Sequence, residues 1–240
     1  MCGRFVNSRS PEDLGVEFDV DQSVLSERLA PDYNIAPTKK VYAVLDRPGD
    51  VPERQLRVLT WGLVPSWAKD RSNAAKLSNA RIETAAEKPS FARAFKSRRA
   101  VIPADGYFEW RRQDGGVKQP FYLHRPDGAS LRLAALYELW RDPTREAGHP
   151  DAWWWSATIL TTESTGELRD IHDRTPLTVR PGALDAWLST GPSHPDELRA
   201  LLAPSTEELV ARPVSTLVNS VRNNGPHLLE EYVEAAPTLF

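Results

Sequence analysis

Cysteine is nearly absent from this chain. Its 240 residues contain one, Cys2, so an internal disulfide is excluded. Histidine is scarce as well, and its five positions (His124, His149, His172, His194, His227) lack the spacing of a zinc site; neither a metal nor any other cofactor is expected. Long apolar runs are missing. The longest, such as Leu131–Leu139, fall far short of the roughly 20 residues that span a bilayer, and no charged-then-apolar leader opens the sequence. A cytoplasmic protein without membrane contact is expected. Repeats, low-complexity tracts and Gly/Ser linkers are also lacking, so nothing divides residues 1–240 into more than one domain. Neither sign of charge prevails, since 30 Lys and Arg against 33 Asp and Glu leave a net charge of −3.

Local charge is uneven. Between Lys69 and Arg99 nine basic residues accompany three acidic ones, so that stretch carries +6 and the remainder −9. Such a cluster either neutralises phosphates, with salt-dependent binding, or forms a solvated helix face. The 20 prolines exceed the usual share of about 5% and favour many short elements over long helices. Runs of β-branched and aromatic residues predict strands at Val41–Leu45, Leu56–Val64, Ala100–Pro103, Phe121–His124, Leu131–Leu139 and Trp154–Thr162. Asp114-Gly115 and Asp127-Gly128 suit tight hairpin turns between such runs. Helices are predicted at Ile82–Glu87, Pro89–Phe95, Pro181–Ser189, Asp196–Leu202 and Thr206–Val210. Between them Pro65–Ser78 is a long loop, and loops of that length are often functional. The resulting fold class is α+β, a single domain whose β-rich, largely antiparallel, barrel-like core is flanked by short helices.

The position of Cys2 gives it unusual chemistry. Methionine is removed when the next side chain is small, so loss of Met1 would leave cysteine at the terminus. A terminal cysteine carries a thiol and a primary amine on adjacent carbons. The amine, with a pKa of about 7.7–8.0, is neutral in roughly a tenth of molecules at pH 7. It attacks aldehydes, and the thiolate then closes a five-membered thiazolidine with the high effective molarity of an intramolecular nucleophile.

Six blocks stand in order along the chain: Met1-Cys2-Gly3-Arg4-Phe5, Tyr33-Asn34-Ile35-Ala36-Pro37-Thr38, Trp61-Gly62-Leu63-Val64-Pro65-Ser66-Trp67, Asn79-Ala80-Arg81-Ile82-Glu83-Thr84, Arg99 through Trp110, and Ile171-His172-Asp173-Arg174-Thr175-Pro176. With them the sequence closely resembles the SRAP family of abasic-site processing proteins, also called SOS-response-associated peptidases, from Cys2 to about Gly225. The resemblance implies a thiazolidine crosslink between the terminal cysteine and the ring-opened aldehyde of an abasic site in single-stranded DNA. It carries the family's cysteine, asparagine, glutamate and histidine onto Cys2, Asn79, Glu109 and His172. It also implies DNA contacts at Arg4, Trp67, Arg81 and Arg174. The chain stops soon after Gly225, without the tail of longer eukaryotic members, which suggests the compact bacterial type, expected as a monomer and associated with the nucleoid when bound to damaged DNA.

Each residue type suits its role. A carboxyl group near Cys2 with a pKa raised toward 7 serves imine formation as both acid and base, and Glu109 lies among Tyr107, Phe108 and Trp110, where an apolar setting disfavours its charge. His172 titrates near neutrality and suits opening of the sugar ring; Asn79 donates and accepts hydrogen bonds and suits orienting the amine or the aldehyde. Arg4 and Arg81 offer forks for phosphate. Trp67 and Trp61 are able to stack on unpaired bases, although the strand position of Trp61 favours the core. The Trp153-Trp154-Trp155 run is expected to alternate between buried and exposed rings. Two other readings remain: a cysteine peptidase or amidohydrolase with a terminal nucleophile, with removal of Met1 by the protein itself as its minimal activity, and a non-covalent binder of single-stranded DNA.

Overall fold

The computed structural model describes residues 2–47, 49, 52–112, 116, 118–146, 148–191, 193–205 and 209–232. Among these the strands, in chain order, are β1 (Phe5–Asn7), β2 (Gln22–Val24), β3 (Asp32–Ile35), β4 (Lys40–Arg47), β5 (Glu53–Trp61), β6 (Asn79–Arg81), β7 (Arg99–Ala104), β8 (Gly106–Arg112), β9 (Lys118–His124), β10 (Leu131–Arg141), β11 (Trp153–Glu163), β12 (Arg174–Val179), β13 (Leu202–Pro204) and β14 (Val210–Pro213). The helices are short: α1 (Pro11–Glu17), α2 (Ile82–Ala85), α3 (Ala92–Ser97), α4 (Leu184–Leu188) and α5 (Pro195–Ala200). The expected α+β class with a β-dominated core is what forms.

The larger sheet closes on itself. Strand β10 pairs with β7, β7 with β4, β4 with β5, β5 with β11 and β11 back with β10, so these five strands leave no open edge between them. All these pairings are antiparallel except β5 with β11. Side-chain alternation sends Val41, Ala43, Leu45, Leu59, Trp61, Leu133, Ala135 and Ile159 into one core. Their neighbours Tyr42, Val44, Leu56, Val101, Ala134, Leu136 and Leu160 enter a second one, which also holds α2, α3 and α4 residues. Burial on both faces explains why these strands read as continuous apolar runs rather than as alternation.

The five-stranded sheet, ordered β14-β9-β8-β1-β3, packs over one end of that circuit. Phe5, Tyr107, Phe121 and Leu123 of this sheet share the core of Trp61 and Ile159, and Phe5 meets the edge of Trp61 with ring centroids 5.0 Å apart. Gly106 is required where β1, β8 and β9 crowd together. A Cβ there would lie 2.5 Å from the Leu123 carbonyl oxygen and 2.6 Å from the Tyr122 ring.

All six strand predictions fall on strands, with ends that move by a few residues. Strand β5 stops at Trp61 rather than at Val64, because Gly62 turns the chain with a φ of 130°. The Thr206–Val210 helix is a correction at its last residue: Val210 opens β14, paired with His124 of β9, while residues 206–208 lie outside the described residues, as does the Asp114-Gly115 turn. Leu202, expected to end a helix, begins β13. Pro65–Ser78 is mostly loop, with one turn of 3-10 helix at Ala74–Leu77.

Candidate active site

Backbone pairing brings the amino terminus to Glu109. Strand β1 runs antiparallel to β8 with Phe5 opposite Tyr107 and Val6 opposite Gly106. The Phe108 N–H continues the ladder outward by donating to the Arg4 carbonyl at 2.9 Å. The same register carried one pair further sets Gly3 opposite Glu109, with Cys2 next along the chain. From the larger sheet, Asn79 at the start of β6 donates through Nδ2 to the Cys2 carbonyl at 2.7 Å. Cys2 is thus held between the two sheets, fully buried within the core of Phe5 and Trp61.

Burial dominates the electrostatics. It raises the Cys2 thiol above its ordinary range, and the Glu109 carboxylate adds to that shift. The Glu109 carboxyl is itself pushed up to about 7 by burial, with the positive amino terminus of the chain opposing the shift. His172 follows a 3-10 turn at Gly166–Asp170 and places Nε2 3.9 Å from Glu109 Oε2. Its Nδ1 faces both the Arg174 N–H at 3.0 Å, which favours the ring proton on Nε2, and Asp173 Oδ1 at 2.8 Å, which favours it on Nδ1. The Asp173 carboxylate, 2.8 Å from Nδ1, favours the imidazolium, but it is 83% exposed and burial outweighs it, so the His172 pKa lies below its ordinary value. Asn79 Oδ1 is a buried acceptor without a hydrogen-bond partner among the described residues.

An open cleft of about 440 Å³ runs over Glu109 and His172, lined also by Arg4, Trp110, Arg112 and Lys118. Arg4 is anchored there. Its Nη1 donates to Asn34 Oδ1 at 2.7 Å and to the Val218 carbonyl at 2.9 Å, and its guanidinium lies over the Trp110 ring. Arg81 shares a face of β6 with Asn79 by strand alternation and is exposed. Trp67 is 66% exposed beside a cleft of about 580 Å³ lined by Val64, Pro65, Lys69 and Lys76. Arg174 stands apart from these: it is buried, forked onto Glu83 at 2.9 and 3.0 Å, and donates to the Thr161 carbonyl at 2.7 Å.

The basic stretch presents less charge than its sequence suggests. Lys69, Arg71, Lys76, Arg81, Lys88, Arg93 and Lys96 are exposed, but Arg98 is paired with the buried Glu138. Arg99 is buried and donates to the carbonyls of Trp187, Phe95, Lys96 and Ser189. Trp61 is core, with its Nε1 donating to the Ser78 carbonyl. In the tryptophan run Trp153 is exposed while Trp154 and Trp155 are half-buried under Arg71 and Arg57.

The family model described as SOS response associated peptidase (SRAP) matches residues 1–221. The chain belongs to this family. Among its SRAP relatives, the abasic site processing protein YoaM of Bacillus subtilis is 38% identical, the match covering 96% of this chain and 98% of YoaM. The abasic site processing protein YedK of Escherichia coli is 32% identical, over 96% of this chain and 99% of YedK. A crystal structure of a protein from Bacteroides thetaiotaomicron superposes with a TM-score of 0.80 at 26% identity, covering 97% of this chain and all of that one. No helix among the described residues is long and apolar enough to cross a membrane.

Within this SRAP fold Cys2, Asn79, Glu109 and His172 meet at one point, although 170 positions separate the first from the last. The sequence reading passed over Arg112 and Lys118. Their signal was available, in two cations flanking the expected Asp114-Gly115 turn after the Glu109 strand.

Proposed function

We propose that this SRAP protein processes abasic sites by capturing the ring-opened sugar aldehyde in single-stranded DNA as a thiazolidine on Cys2. The observation that carries the reading is the grouping of buried Cys2, tied through its carbonyl to Asn79, with buried Glu109 and with His172 3.9 Å from Glu109. With Met1 attached, the nitrogen of Cys2 is an amide and no nucleophile, so removal of Met1 comes first.

The steps balance with residues already in place. The Cys2 amine adds to the aldehyde carbon to give a carbinolamine, with the orphan Asn79 Oδ1 accepting an N–H and fixing the direction of attack. Glu109 in its acid form protonates the departing hydroxyl, water leaves, and a protonated imine (iminium) and a carboxylate remain. The Cys2 thiol, held protonated by burial, then adds its sulfur to the imine carbon. Its proton returns to Glu109 while the nitrogen keeps the electron pair. The net reaction joins aldehyde and aminothiol and releases one water. The His172 Nε2–H donates toward the sugar oxygen and assists opening of the ring.

The test is incubation of the mature protein with a single-stranded oligonucleotide carrying one abasic site, followed by denaturation and mass spectrometry of the junction. One heat-resistant adduct per protein at Cys2, absent with Cys2→Ala and with Met1 retained, is expected. Repeated turnover of added peptides without an adduct would replace this reading with a peptidase. The rate should peak between about pH 7 and 8, because it needs Glu109 protonated and the amine, with a pKa of about 7.7–8.0, neutral.

A further inference from the structure

We propose that Arg112 and Lys118 form a phosphate clamp that holds the DNA strand on the flank of the abasic sugar away from Arg81, so that the cleft is built for a lesion inside a strand. The inference rests on the single-stranded DNA reading above and extends it to residues outside the chemistry.

Four observations converge. Arg112 and Lys118 are exposed and line the same cleft as Glu109 and His172. They are register partners at the far end of the β8–β9 hairpin, so two like charges stand directly opposite each other. Such a pairing costs stability unless an anion lies between or beside them. Neither side chain has a carboxylate within 4.0 Å among the described residues, in contrast to Arg9, Arg28, Arg54, Arg98, Arg125 and Arg174, each of which is paired with one. Arg112 is also among the charges that lower the His172 pKa, after burial and the amino terminus, in keeping with its place in the shared cleft.

Topology supplies the direction. Arg81 belongs to β6 of the larger sheet, on the Asn79 side of Cys2, whereas Arg112 and Lys118 belong to β8 and β9 of the smaller sheet, on the Glu109 side. A strand whose sugar reaches Cys2 therefore has cations on both flanks. Trp110 lines the same cleft, its Nε1 tied to Asn219 at 2.7 Å and its ring covered by Arg4.

The experiment compares wild type with Arg112→Gln/Lys118→Gln, both mature and complete, on three fluorescent oligonucleotides: one with a central abasic site and one with the site at each end. Anisotropy reports binding and a denaturing gel reports capture. The clamp predicts roughly tenfold weaker binding of the central-site strand, and a log–log salt slope shallower by about 1.4, from two phosphate contacts at about 0.7 each. The deficit should vanish on the one end-labelled lesion that lacks a phosphate on the clamped flank. A melting temperature no lower than that of wild type shows the variant to be folded. Equal binding and equal salt slope for both proteins on all three strands would overturn the clamp. If wild type binds but never crosslinks, the capture reading fails while anisotropy still decides the clamp.

Discussion

Glu109 carries a cost that its chemistry explains. A carboxyl with a folded-state pKa of about 7 and an ordinary value near 4.5 binds its proton more tightly when folded, so it stabilises the fold at low pH. That contribution is lost as pH rises from about 4.5 through 7, where the folded protein must either ionise a buried group or give up its proton advantage. Glu109→Gln should therefore raise the melting temperature relative to wild type at pH 8, by up to about 3 kcal/mol in stability, and leave it near wild type at pH 5. Thermal melts of both proteins across that range check the sign, and the same variant should capture abasic sites far more slowly. Arg99 illustrates the opposite error of reading charge as function. It was one of nine cations in the basic stretch, yet its four backbone acceptors tie α3 and α4 to β7. Arg99→Ala should cost about 3 kcal/mol in urea unfolding, whereas Lys96→Ala should leave the unfolding midpoint in place. Nothing in a sequence distinguishes Arg99 from Lys96, because what differs is the set of carbonyls that the fold collects around one of them.

At the scale of elements, long strands were legible and short ones were not. Runs such as Leu131–Leu139 and Trp154–Thr162 announce themselves because both faces are buried, one in the closed circuit and one against the helices. Strands β1, β3 and β6, of three or four residues, take their conformation from partners far away in sequence and left no local pattern. Two of them, β1 and β6, bring Cys2 and Asn79 to the candidate site. Cys2, Asn79, Glu109 and His172 were accessible from residue chemistry together with family resemblance, but the register that sets Gly3 opposite Glu109 was not. Gly106 tests that register. In Gly106→Ala the new methyl meets the Leu123 carbonyl and the Tyr122 ring, and small-to-large changes at tight sites cost about 1–3 kcal/mol. Since Gly106 is paired with Val6 on one side and His124 on the other, loosening it should also expose the buried Cys2 thiol. An increased rate of labelling by an aromatic disulfide reagent, with the fold retained, is the expected result.

For the whole molecule, a net charge of −3 gives no general attraction to a polyanion. On the proposed reading, association would draw on the seven exposed cations between Lys69 and Lys96 together with Arg112 and Lys118, against an acidic remainder. Non-covalent binding of undamaged single strands should weaken roughly 20-fold between 50 and 200 mM salt if about three phosphates are neutralised. Titrations at several salt concentrations measure that number directly, and a flat response would leave stacking on Trp67 as the main source of affinity. Low base selectivity should accompany it, since phosphate and stacking contacts carry no sequence information.

The pairing of β1 with β8 also sets an order of events during synthesis. Cys2 leaves the ribosome before the residues that bury it, and its burial waits for Asn79, the β8 residues Gly106–Arg112 and finally His172. At about 5–20 residues per second, synthesis from Cys2 to His172 takes roughly 10–30 seconds, during which the bond between Met1 and Cys2 would be open to a ribosome-associated aminopeptidase. On the proposed reading, a Cys2 amine freed in that interval would lack Glu109, His172 and the cleft, and would be an ordinary slow reagent toward free aldehydes. Completion of the chain would then close that access and bring Glu109 and His172 to Cys2 in one step, so that strand order would time the proposed maturation.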